Sequence, residues 1–66
     1  MTKKGKVKFF LDDKGYGFIT EEGTGKEYFV HITGIDYDNV EAGDSVTFKL
    51  KEGKKGLVAY EVSLGQ

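Results

Sequence analysis

The 66-residue chain contains no cysteine, no proline and a single histidine. Without cysteine, disulfides, Cys-rich zinc sites and thiol nucleophiles are excluded, and the composition suits a reducing cytoplasm. His31 alone cannot anchor a usual metal site, so no cofactor or metal is expected. No apolar stretch of the signal-peptide kind follows Met1-Thr2-Lys3-Lys4-Gly5. No apolar run approaches the roughly 18 residues of a membrane span. The expectation is a cytoplasmic protein with no membrane partner. There is also no length for a second core, since typical domains run to roughly 100–150 residues. Residues 1–66 are therefore read as one domain. Its core supplies no more than about 3–5 kcal/mol, with no disulfide or metal to add to that.

What is present is unusual in two respects. Ten glycines and nine aromatics (five Phe, four Tyr) stand in a chain only 38% hydrophobic. The net charge of −1 argues, taken as an average, against a polyanionic partner. The average hides a segregation. Residues 1–20 hold five Lys against two acids (+3), residues 21–46 one Lys against seven acids (−6), and residues 47–66 four Lys against two Glu (+2). Basic charge at the two ends of a chain points to nucleic acid or a membrane surface, and equally to a solvated face.

Val46-Thr47-Phe48-Lys49-Leu50-Lys51 alternates apolar and polar residues without a break, the pattern of a half-buried strand. The turn cluster Glu52-Gly53-Lys54-Lys55-Gly56 separates it from Leu57–Val62, a second strand of less regular pattern. Upstream, Lys6–Leu11, the turn Asp12-Asp13-Lys14-Gly15 and Tyr16–Thr20 read as another hairpin. A further turn, Glu22–Lys26, leads to a strand over Glu27–Ile32. Residues 33–44 form the only long connection, with a helix of no more than a turn or so. Five short strands with Gly at the bends predict a small closed or nearly closed all-β barrel.

Successive strand residues point to opposite faces. Tyr16 and Phe18 share one face of the second strand, with Gly17 and Ile19 on the other. In the third strand Phe29 and His31 oppose Tyr28, Val30 and Ile32. Both faces are hydrophobic, yet a chain this short has one interior to fill. The aliphatic set Val7, Ile19 and Val30, with Val46, Phe48 and Leu50, suits that interior, and Gly17 allows close backbone packing. Tyr16, Phe18, Phe29 and His31 are left outside, flanked by Lys8 and Lys14. Exposed rings interleaved with Lys suit unpaired bases, which stack on the rings at about 1–3 kcal/mol each while ammonium groups meet phosphates. The competing reading inverts the faces and makes these rings core.

Lys14-Gly15-Tyr16-Gly17-Phe18-Ile19 resembles the first ribonucleoprotein motif of the bacterial-type cold-shock domain family, and Tyr28-Phe29-Val30-His31-Ile32 resembles the second. Gly5-Lys6-Val7-Lys8-Phe9-Phe10 resembles the family's opening strand, so the likeness covers nearly the whole chain. It implies a five-stranded antiparallel Greek-key barrel of the oligonucleotide-binding (OB) type. It further implies a monomer that binds single-stranded RNA and DNA, pyrimidine-rich by preference, as an RNA chaperone or transcription antiterminator. Carried over by position, base-stacking roles fall to Phe9, Tyr16, Phe18, Phe29, His31 and Tyr37, with Phe10 a lesser candidate. Lys8 and Lys14 fall near backbone or base edges, and Lys55 where the family often has a basic residue before Gly. The chain departs from the pattern at Phe9, where Trp is usual, at Leu11, in place of Asn, and at Ile32, where bacterial members often carry Phe. Strict alternation puts Phe9 opposite Lys8, so its exposure requires a bulge.

Other chemistries fit less well. Ser45, Ser63 and His31 are the only material for a hydrolytic triad, with Ser45 opening a strand and Ser63 near the terminus; no enzymatic activity is expected. Gly15-Tyr16-Gly17 is too short for a dinucleotide loop. Asp36-Tyr37-Asp38-Asn39 begins like a calcium loop, but Val40 and Glu41 stand where a ligand and Gly are needed. The rival from another class is a small SH3-like barrel docking an extended peptide or protein partner, which has little use for Lys beside the rings. A patch buried against another subunit is a third reading. On the single-strand reading, the acidic middle segment, including Glu41 and Asp44, lies away from the groove.

Overall fold

The computed structural model describes residues 2–54 and 56–65. Five strands, β1 (Lys3–Leu11), β2 (Tyr16–Glu21), β3 (Glu27–His31), β4 (Ser45–Gly53) and β5 (Gly56–Leu64), close into a barrel in the order β1-β2-β3-β5-β4. Neighbours are antiparallel except β3 and β5, which close the barrel as a parallel pair. That pair qualifies the expected all-antiparallel arrangement; it arises because the 33–44 connection carries the chain to β4 beside β1, and β5, turning back antiparallel to β4, then runs in the direction of β3. Among the described residues no helix is long and apolar enough to cross a membrane. The only helical element among the described residues is a 3₁₀ turn, Ile32–Gly34.

The interior is the aliphatic set read from the alternation. Val7, Ile19, Val30, Val46 and Phe48 are buried, joined by Ala59 and Val62, while Leu50 is half-buried against them. Ala59 and Val62 are three residues apart, so no strict alternation can bury both. The β4–β5 register slips by one residue where Thr47 pairs with Ser63 and Lys49 with Tyr60. The extra residue is taken up near Glu61, whose φ of 49° is left-handed. This bulge is the physical reason the pattern of the last strand looked irregular.

A second bulge lies in β1. Val7 faces Ile19 and Phe9 faces Phe18, so Lys8 is the extra residue and Phe9 turns to the outer face. Phe10 turns inward instead, opposite Gly17, and packs on the core. It stands half-buried on the opposite side of β1 from Phe9, apart from the ring row. A Cβ at residue 17 would collide with the Phe9 carbonyl oxygen and lie 2.8 Å from the Phe10 ring. Glycine is therefore what lets β1 and β2 approach at the bulge.

Ile32 departs from expectation. Alternation puts it on the inner face of the third strand, but β3 ends at His31 and the 3₁₀ turn swings Ile32 outward, leaving it 49% exposed. Its amide donates to the Gly15 carbonyl at 2.8 Å, tying this turn to the β1–β2 turn.

Candidate nucleic-acid interface

The outer faces of β1, β2 and β3 carry one continuous set of rings. Cross-strand pairing sets Phe9 beside Phe18, Phe18 beside Phe29, and Tyr16 beside His31. The ring centroids of Phe9 and Phe18 are 5.4 Å apart, those of Phe18 and Phe29 5.9 Å edge to face, and those of Tyr16 and Phe29 5.7 Å and nearly parallel. These spacings are those of favourable aromatic pairs. Each ring thus braces the next while staying half-exposed. The rings are not core.

His31 is exposed at the end of this row and is held in one orientation. Its Nδ1 accepts from the Thr33 amide at 3.2 Å and lies 3.0 Å from the Thr33 hydroxyl. With Nδ1 accepting, the proton of the neutral ring sits on Nε2, which is left to donate outward.

The lysines are placed unequally. Lys14 lies in the turn leading into Tyr16 and makes no ion pair among the described residues. Lys8, pushed out by the bulge, pairs with Glu27 at 2.8 Å. Both partners are about half exposed, so the pair contributes little stability and exchanges readily for another anion. Glu27 corrects one expectation: it belongs to the acidic middle segment yet lines a groove with Phe18, Phe29 and Leu57. Strand pairing brings it there, a long-range effect that segment-wise charge counting does not register. Lys55 lies outside the described residues; its neighbour Lys54 lines a groove with Phe29 and Leu57.

Tyr37 is set apart from the row. Its ring packs on the core cluster, it shares none of the ring contacts that link Phe9, Phe18, Phe29 and Tyr16, and its hydroxyl donates to Asp44 at 3.1 Å. Burial, and then this bond, push the phenol up to about 12. Tyr28 is likewise turned inward, tilted against Phe48 at 6.2 Å, its hydroxyl donating to Glu21. Alternation did not single out Leu57, which is 47% exposed beside Phe29. Its place near the start of β5, one residue before Val58, which pairs with Phe29, puts it there. Among the described residues no group of three His, Cys, Asp or Glu is placed to hold a metal ion.

A closed five-stranded barrel with half-exposed rings and lysines on one outer face is an OB-fold built like a nucleic-acid-binding module. The chain belongs to the family described as "'Cold-shock' DNA-binding domain", whose profile matches residues 3–64. It is 44% identical over 63 residues to cold shock protein CspD of Bacillus subtilis, covering 91% of this chain and 94% of that one. It is 43% identical over 63 residues to cold shock protein CspB of Geobacillus stearothermophilus, with the same coverage of 91% and 94%. The cold shock-like protein CspA of Shewanella violacea is 41% identical over 61 residues, 88% of this chain and 87% of that one. The solved structure of drosophila Unr CSD456 shares the fold at a TM-score of 0.82 and 19% identity, covering 100% of this chain and 27% of that one.

Proposed function

We propose that this protein binds unpaired RNA and DNA, pyrimidine-rich by preference, by stacking bases on Phe9, Phe18, Phe29, Tyr16 and His31. The observation that supports it most directly is the braced, half-exposed ring row, with Lys8 reaching Glu27 at its groove and Lys14 exposed in the turn that leads into Tyr16. Every base has a π-face, so such a row accepts single strands while a duplex hides its bases. Binding the open strand shifts hairpins toward the unpaired form by mass action, without ATP, which is what an RNA chaperone or antiterminator needs. The protein acts as a cytoplasmic monomer and as a binding module rather than an enzyme. Tyr37 serves this reading only if its bond to Asp44 opens, and Lys55 contributes charge beside Lys54. Lysines beside the rings favour this reading over an SH3-like barrel that docks peptides.

Titration of a pyrimidine-rich oligodeoxynucleotide into the wild type and into Phe18→Ala and Phe29→Ala tests it. Each variant is expected to stay folded by circular dichroism and to lose about 1–3 kcal/mol of binding, roughly five- to 150-fold. Val30→Ala, on the inner face, should instead lose roughly 2 kcal/mol of stability, a large share of what so small a core supplies. Unchanged affinity in both Phe variants would refute the stacking row.

A further inference from the structure

The outer face does not end at β3. β5 runs parallel to β3 with Val58 beside Phe29, and β4 follows with Lys51 beside Val58 and Lys49 beside Tyr60. Ala59 is buried, so its neighbour Tyr60 faces outward, half-exposed. Tyr60, Lys51 and Val58 line a groove of about 200 Å³ that also includes His31, the last member of the ring row. The Lys51 Nζ stands 5.2 Å from the centroid of the Tyr60 ring.

We infer that Tyr60 and Lys51 form a further stacking subsite, joined to the ring row through His31, which takes one more unpaired nucleotide of the same strand. The inference rests on the single-strand reading proposed above. An exposed ammonium lies only weakly on a tyrosine face. A base competes for that face with a far larger contact area, and the displaced ammonium, tethered to the next strand, meets the nucleotide's phosphate. Two carboxylates also line the groove, those of Asp36 and Glu61. Glu61 pairs with Lys49 at 3.1 Å, an exposed pair that offsets the carboxylate's charge, and the hydrogen bond to Glu61 raises the Lys49 ammonium above its usual range. Asp36 repels phosphate from its own end of the groove, which leaves the Lys51 side as the phosphate's place.

The test compares two pyrimidine oligodeoxynucleotides, one of about four nucleotides, filled by the ring row alone, and one of about eight. Tyr60→Ala is expected to weaken the longer strand by about five-fold or more and to leave the shorter nearly unchanged, while Tyr60→Phe keeps wild-type affinity for both. Lys51→Ala should lower the salt slope by about 0.7 on the longer strand only. Loss by the same factor at both lengths would show Tyr60 acting through the barrel or His31, and loss at neither would show no subsite; either result overturns the inference. Phe18→Ala, measured alongside, separates the two readings. If it weakens both strands while Tyr60→Ala weakens neither, only the subsite fails; if it too is silent, the single-strand reading fails. Should Tyr60→Ala not fold, the length dependence of Lys51→Ala decides.

Discussion

At the scale of single residues, partners decide what a side chain is available for. Tyr37 and Tyr60 are both tyrosines outside the two motif strands, yet one hydroxyl is tied to Asp44 and the other ring lies in a groove. Because burial and the Asp44 bond raise the Tyr37 phenol from 10.0 to about 12, the folded state holds that proton where the unfolded chain has released it. Its contribution is complete below pH 10.0 and is lost as the pH rises toward about 12. Tyr37→Phe should therefore flatten the fall of stability over that interval, read as denaturant midpoints against pH. An unchanged alkaline slope would detach Tyr37 from Asp44. Neither tyrosine's fate was legible from its neighbours in sequence, since Asp44 is seven residues from Tyr37 and Lys51 lies on another strand.

At the scale of elements, two bulges place the functional face. The one at Lys8 turns Phe9 outward beside Phe18 and projects Lys8 toward Glu27. The strict alternation of β1 shows that a bulge is needed for Phe9 to be exposed. The bulge in β5 had only an indirect sign, the broken alternation of Leu57–Val62, because the left-handed φ of Glu61 is a property of the paired strand. Gly17 supports the first bulge from across the ladder. Gly17→Ala should cost roughly 1–3 kcal/mol in stability, because the added methyl meets backbone that cannot rotate away. It should also weaken oligonucleotide binding by separating the Phe9 and Phe18 rings. A variant as stable as the wild type, read by thermal unfolding, would mean that β1 and β2 can part without cost.

At the scale of the whole molecule, the net charge of −1 is carried into the ring face as well, where Glu27 is paired with Lys8 and Glu61 with Lys49 while Asp36 lines the groove beside His31. On the single-strand reading, Lys8, Lys51 and Lys54 at the grooves, with Lys14 in the turn before Tyr16, set the electrostatic share of binding. For a single strand the slope of log affinity against log salt is about −0.7 per phosphate neutralised, so two to four contacts give roughly −1.5 to −3. Titrations at several salt concentrations should fall in that range. A slope steeper than about −5 would mean that phosphate contacts, rather than stacking, dominate.

The strand count, the aliphatic interior and the outward rings were legible in the order of residues, because alternation and glycine turns act over a few residues and one face of each strand had to be buried. That order also carried the family resemblance, in motifs that lie within single hairpins. The parallel β3–β5 closure, the Lys8–Glu27 pair at the ring row, the outward swing of Ile32 and the Tyr60–Lys51 groove were decided only by the tertiary structure. Each depends on which strands become neighbours and in what register, and that is fixed by closing the whole barrel around one core, not by any local run of residues.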